Sequence, residues 1–254
     1  MSNIKLILQY DGSAYIGWQS QRPEHGLSVQ QAVEKALLRV IGQPVRIHGA
    51  GRTDSGVHAL AQVAHFACPV TIPTLGLARA LNNILPADIR VSAAEDAEDA
   101  FHARFSACGK RYRYILAEDE PNIFNYRWYW PLERLPRVDL MEQAAKHIIG
   151  EHDFRHFTLS NSNATNFIRE LREIRVYKPK TEELPCLLER ALAIEVTGSG
   201  FLYKMVRLIT RRMVAIGQGI LPPVAMAEYL AGRALLALPP APPQGLMLME
   251  VYYN

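Results

Sequence analysis

The sequence of 254 residues predicts an α+β fold of two ferredoxin-like halves, each ordered β-α-β-β-α-β, with mainly antiparallel sheets and helices on one face. Three observations lead there. Short runs rich in β-branched and aromatic residues read as strands, two longer segments follow a 3.6-residue apolar period, and the same order of runs occurs twice without a residue-level repeat. The halves are placed at 1–105 and 106–254.

In the first half, "IKLILQY" (4–10) reads as a strand and Asp11-Gly12 as its turn. The segment 28–42 reads as a helix with Ser28 as N-cap, Gln31 closing a capping box and Gly42 ending it; Val29, Ala32, Val33, Ala36, Leu37, Val40 and Ile41 make one buried face. Strands at 45–49 and 61–68, a short helix at 74–85 and a strand at 89–94 complete that half. The second half reads as strand 111–116, helix 138–150, strands 168–177 and 188–198, helix 201–219, an extra helix near 223–233 and strand 246–253. "LPPAPPQG" (238–245) is a rigid proline-rich connector. Neither half covers both faces of its sheet with its own helices, and an exposed sheet face of this build commonly binds RNA.

A composition 49% hydrophobic and 21% charged is globular and excludes disorder. With no leader pattern and no run of about 18 apolar residues, the expectation is a soluble, cytoplasmic protein without membrane contact. Cys68, Cys108 and Cys186 are odd in number and widely spaced, which argues against disulfides and zinc. The net charge of +3 is small, but its distribution is uneven. Residues 101–117 carry Arg104, Lys110, Arg111 and Arg113 without an acid, and residues 197–227 carry Lys204, Arg207, Arg211 and Arg212 without one. Such segregation makes basic stripes suited to a polyanion, or else ordinary solvated faces.

"GAGRTDSGVHA" (49–59) sets Asp54 and Arg52 among three glycines at the end of an apolar strand. Asp-Ser-Gly also forms turns for purely local reasons, yet a carboxylate presented on a rigid scaffold beside a guanidinium stays ionised, as a nucleophile or base requires. The segment lacks the Walker lysine and the dinucleotide spacing, so no nucleotide cofactor is expected; His48, His58 and His65 have no spacing that gathers a metal. Tyr112 and Tyr114 alternate with Arg111 and Arg113, putting aromatics on one strand face and guanidiniums on the other. The tyrosines can stack bases or fill a core. Lys204, Arg207 and Arg211 recur at i, i+3 and i+7 beside an apolar face.

Seven stretches in register carry a resemblance: "YDGSAYIGWQSQ" (10–21), "SVQQAVEKAL" (28–37), "GRTDSGVHA" (51–59), "NNILPADI" (82–89), "FHARFSACGKRYRY" (101–114), "GSGFLYKMVR" (198–207) and "APPQGLMLMEVYY" (241–253). Over nearly its whole length the chain resembles the tRNA pseudouridine synthase A (TruA) family. That resemblance implies the pseudouridine synthase fold and isomerisation of uridine to pseudouridine in the tRNA anticodon stem-loop, at tRNA positions 38, 39 and 40, by a homodimer that needs neither metal nor organic cofactor. It puts the catalytic nucleophile on Asp54, packing against the target uracil on Tyr112, and pairing with the catalytic carboxylate on Arg207. Arg52, His58, Arg104, Lys110, Arg111, Lys204 and Arg211 are the candidate RNA contacts. Thr210-Arg211-Arg212 departs from the family, which usually has a small residue after V-R-x-I. A non-catalytic RNA-binding or tRNA-folding protein on the same scaffold is the alternative; a cofactor-free nucleoside hydrolase would explain Asp54 but not the basic stripes.

Overall fold

The computed structural model describes residues 2–19, 26–68, 73–159, 165–233 and 236–254. The chain divides into two compact units, residues 1–108 with 247–254, and residues 109–246. In the first unit, β1 (Ser2–Tyr10) lies between β3 (His58–Cys68) and β4 (Ile89–Ala97), antiparallel to both. Ile4, Leu6 and Leu8, alternating along β1, are fully buried, as period-2 patterning on a half-covered sheet requires. β10 (Leu246–Tyr253) runs parallel to β3, with Met247 opposite His58.

Helix α1 (Val29–Ile41) forms as its termini dictate. The Ser28 hydroxyl accepts the Gln31 N–H, the Gln31 side chain accepts the Ser28 N–H, and Gly42 closes the last turn at φ +79°. Its buried residues include Val29, Val33, Ala36 and Leu37, the face expected from the 3.6 period. The strand expected at 45–49 shrinks to β2 (His48–Gly49). Helix α1 is the reason: Glu34 accepts the Ile47 N–H at 3.1 Å and Gln30 donates to the Ile47 carbonyl at 3.0 Å, so that peptide is withdrawn from any ladder. Helix α2 (Leu77–Asn82) is shorter than its pattern and begins after Gly76.

His65 of β3 faces His48 and His102, with ring centroids 5.3 and 4.4 Å away. His65 Nδ1 accepts the Ala103 N–H at 3.2 Å, and His102 Nδ1 accepts the N–H groups of Arg104 and Phe105. Burial first, and neighbouring imidazoles second, hold both histidines below the ordinary imidazole value.

The second unit holds β5 (Ala107–Ala117), β9 (Ala191–Gly198), β8 (Ile168–Tyr177) and β7 (Gly150–Asp153) in that order, all antiparallel. A two-residue β6 (Trp130–Pro131) pairs parallel with β5. Helices α3 (Val138–Ala145) and α4 (Met205–Gly217) pack together, with α5 (Ala225–Leu230) beyond them. The helix expected to reach Gly150 stops at Ala145, and Gly150 at φ +107° turns the chain into β7. Helix α4 starts four residues later than its pattern because Lys204 adopts φ +59° and the Thr158 hydroxyl takes the Tyr203 carbonyl. Nor is the sheet face away from the helices fully open. Tyr129 and Leu188 pack there with Ile115, Ala117, Ala191 and Ala193 as a small second core.

Replacing Ser28 by Ala removes one half of the capping box and is expected to lower unfolding free energy by about 1 kcal/mol, read from urea denaturation. Because folded His65 and His102 bind protons less readily than the unfolded chain, stability is full above about pH 6.5 and falls as acid carries the pH below it. The urea midpoint should therefore drop between about pH 7.5 and 5.5, and drop less in His65→Gln.

Candidate active site

The loop that carries Asp54 rests on the chain segment 10–18 with almost nothing between the two backbones. Gly12 abuts it so closely that a Cβ there would sit 2.0 Å from the Val57 carbonyl oxygen. Gly17, at φ +105°, would place a Cβ 2.5 Å from the Thr53 oxygen, and Gly49 passes under the Trp18 ring with equally little room. These glycines are therefore required by close approach, and Gly17 by its dihedral as well. Four hydrogen bonds fix the contact. Tyr10 and Thr53 share one at 2.9 Å, Trp18 N–H donates to the Thr53 carbonyl at 3.1 Å, the Ser55 hydroxyl donates to the Tyr15 carbonyl at 3.1 Å, and Gln62 donates to the Gly51 carbonyl at 2.9 Å. Burial pushes the Tyr10 hydroxyl up to about 12, so it stays neutral beside Thr53.

Within this frame Asp54 is half-buried and begins a turn in which its carbonyl accepts the Val57 N–H; Gly56 takes φ +76°. Its side chain projects from a loop whose backbone is tied on both sides, the arrangement that holds a reacting group in place. Arg52 is exposed and forms no ion pair among the described residues. His58 is 1% exposed, and its Nδ1 accepts the Gly12 N–H at 3.1 Å while lying 3.2 Å from Asp11 Oδ1. Buried there, the ring braces the Gly12 turn and has no surface to offer RNA. Arg104 is exposed, its guanidinium 5.6 Å from the centroid of Phe105.

In the second unit, Tyr112 is buried and meets Phe201 edge-on at 5.2 Å, and Tyr114 is sealed in the core with its hydroxyl donating to the Pro242 carbonyl at 2.7 Å. The alternation of β5 sends Arg111 and Arg113 the other way. Arg113 binds the buried Glu195 at 2.9 Å, while Arg111 and Arg175 approach the same carboxylate at 4.0 and 3.8 Å. Three guanidiniums thus gather on the Glu195 carboxylate, with Glu173 one register row away on the same face. Lys110 is half-buried at the start of the same strand, and Lys204 leans over the Tyr203 ring at 5.0 Å. Arg207 donates from Nε to the Ala241 carbonyl at 2.7 Å and Arg211 from Nε to the Pro239 carbonyl at 3.4 Å, so the proline-rich connector lies along their side of α4. Arg211 also stacks 4.4 Å over Trp130. Arg212, by contrast, is buried between Tyr229 and Phe157 and belongs to the core.

A family model described as tRNA pseudouridine synthase matches residues 6–106 and 144–254. Curated relatives named tRNA pseudouridine synthase A include one from Geotalea daltonii, 41% identical over 256 residues with both chains fully covered. The chain belongs to this family. Other relatives of that name come from Thermoanaerobacter pseudethanolicus, 39% identical with both chains fully covered, and Syntrophotalea carbinolica, 40% identical with 100% of this chain and 97% of the relative covered. Among solved structures, a chain of a Cbf5-Nop10-Gar1 complex aligns over 83% of this chain and 45% of its own at 12% identity, with a TM-score of 0.36.

For this member of the tRNA pseudouridine synthase A family, the residues that the sequence did not connect to the Asp54 loop are those that hold it: Tyr10, Gly12, Gly17 and Trp18. Their signal was "YDGSAYIGWQ", two glycines among aromatics, which shows its purpose only when the loop is seen lying against it. Among the described residues no helix is long and apolar enough to cross a membrane. Gly17→Ala should displace the loop by a fraction of an ångström to an ångström and cut turnover roughly 100-fold while tRNA affinity changes little, measured by single-turnover assay and filter binding.

Proposed function

We propose that this protein isomerises uridine to pseudouridine in the anticodon stem-loop of tRNA, with Asp54 acting on the ribose. The observation that supports the reading is the braced loop: a half-buried carboxylate on a backbone held by glycine contacts and four hydrogen bonds. In the isomerisation the N1–C1′ bond breaks, the uracil turns, C5 bonds to C1′, and the C5 proton leaves as N1 gains one; no external group is consumed. Asp54 either forms an ester with C1′ that C5 later displaces, or takes the C2′ proton to give a glycal and returns it. Both routes need the nucleotide out of the stack at a cost of a few kcal/mol.

By the resemblance, Tyr112 packs against the uracil and is placed to take the C5 proton, and Arg207 is the guanidinium that keeps the Asp54 carboxylate ionised. Arg52, Lys110, Arg111, Lys204 and Arg211 supply phosphate contacts in this reading, without metal or organic cofactor. The working form is a cytoplasmic homodimer.

The test is tritium release from tRNA carrying 5-tritiated uridine. Wild type should release tritium and Asp54→Ala should not. Equal release by both removes Asp54 from the mechanism, and no release by wild type favours a binding protein. Tyr112→Phe should keep tRNA affinity and slow turnover roughly 100-fold, whereas Arg207→Ala should lose both; unchanged rates would contradict these roles.

A further inference from the structure

At one end of the first unit a hydrogen-bonded turn carries an aromatic ring into solvent. Phe105 is 76% exposed. Yet the turn that bears it is fastened at every residue. The N–H groups of Arg104 and Phe105 donate to His102 Nδ1 at 3.1 and 3.3 Å, and the Ala103 N–H donates to His65 Nδ1. Tyr253 donates its hydroxyl to the Ala103 carbonyl at 2.7 Å, and the Ser106 hydroxyl accepts the His102 N–H at 3.0 Å. The rings continue the fastening. Phe105 lies 4.3 Å from His102 at 34°, and His102 lies 4.4 Å from His65 at 58°, so the phenylalanine packs beside a run of rings while most of its surface stays open to solvent. The Arg104 guanidinium lies over the ring, 5.6 Å from its centroid.

A pre-ordered aromatic face with a guanidinium beside it is suited to one chemistry in particular. Nucleobases stack on such rings whatever their identity, and the adjacent cation takes the phosphate. Because the backbone of the turn is fastened before binding, less ordering entropy is lost when a base arrives than on a free loop. On the far side of the histidines a groove of about 760 Å³, edged by Arg46 and His48 with Asp99 as its one acid among the described residues, continues the surface. The Asp54 loop closes at the His58 end of β3, whereas His65 lies seven residues along it, roughly 23 Å of extended strand away. A base stacked at Phe105 is therefore a different nucleotide from the one being isomerised.

We propose that Phe105, backed by His102 and His65 and flanked by Arg104, is a stacking platform for a second nucleotide of the substrate tRNA, remote from the Asp54 loop. The proposal rests on the tRNA reading above and adds a second point of attachment to it. It neither requires nor alters the chemistry assigned to Asp54.

Fluorescence anisotropy with full-length tRNA and tritium-release kinetics test it in wild type, Phe105→Ala and Phe105→Trp. Phe105→Ala should weaken tRNA binding about tenfold and raise KM by a similar factor with kcat unchanged, and Phe105→Trp should retain wild-type affinity. The exposed ring predicts an unchanged thermal midpoint for the alanine variant; should the midpoint fall, the tryptophan variant alone decides, by keeping or losing affinity. Binding by Phe105→Ala within twofold of wild type overturns the platform, as does a tryptophan variant as weak as the alanine. If wild type released no tritium, the isomerase reading would fail while the affinity comparison still judged the platform.

Discussion

Two backbones pressed together without side chains between them are what the rest of this structure depends on. The turn after β1 and the loop before β3 approach so closely at Gly12–Val57 and Gly17–Thr53 that no Cβ fits. Such contact is possible only because hydrogen bonds between the two segments, and from Tyr10 and Gln62, satisfy the loop's polar groups. Its effect is to convert Asp-Ser-Gly from a flexible turn into a rigid mount. Under the proposed function, a carboxylate that must meet a ribose carbon at bonding range would gain rate from being held in place beforehand.

The core elements around that mount serve it directly. β1 is buried and paired on both edges, so the turn that follows it starts from a fixed point. β3 supplies the other end, and the buried His58 ring at its first residue ties it back to Gly12, whose N–H it accepts. In the second unit the same economy appears in another form. The connector carbonyls of Pro239 and Ala241 engage the Nε atoms of Arg211 and Arg207, which orients two long side chains and leaves their remaining N–H groups to other partners.

Much of this was legible in the sequence, and the boundary of what was not is physical. Helix α1 could be read to the residue because its cap, box and terminal glycine are local devices. Most of the longer strands followed from their β-branched and aromatic runs, whereas β6 and the four-residue β7 carry no such pattern. By contrast, nothing local in "VRIHG" shows that Gln30 and Glu34, a turn apart on a helix, will claim the Ile47 peptide and reduce the strand to two residues. The same holds for the small core around Tyr129 and Leu188, assembled from irregular segments without periodicity. At the site, Asp54 stood out by composition, whereas nothing local shows that His58, a candidate RNA contact, is buried and accepts the Gly12 N–H. Tyr112 and Tyr114 have identical patterns, and only the structure distinguishes a ring at the core's margin from one sealed within it.

The proposed mechanism turns on one step, the approach of Asp54 to the sugar of an extruded uridine. A crystal structure of the Asp54→Asn protein bound to tRNA would show whether it occurs. Residues 51–57 should keep the backbone described here, and the substituted amide side chain should lie within about 3.5 Å of C1′ or C2′ of the flipped nucleotide. A bound uridine whose ribose lies beyond the reach of that side chain, or a loop that must abandon its contacts with Gly12 and Gly17 to meet it, would contradict the mechanism.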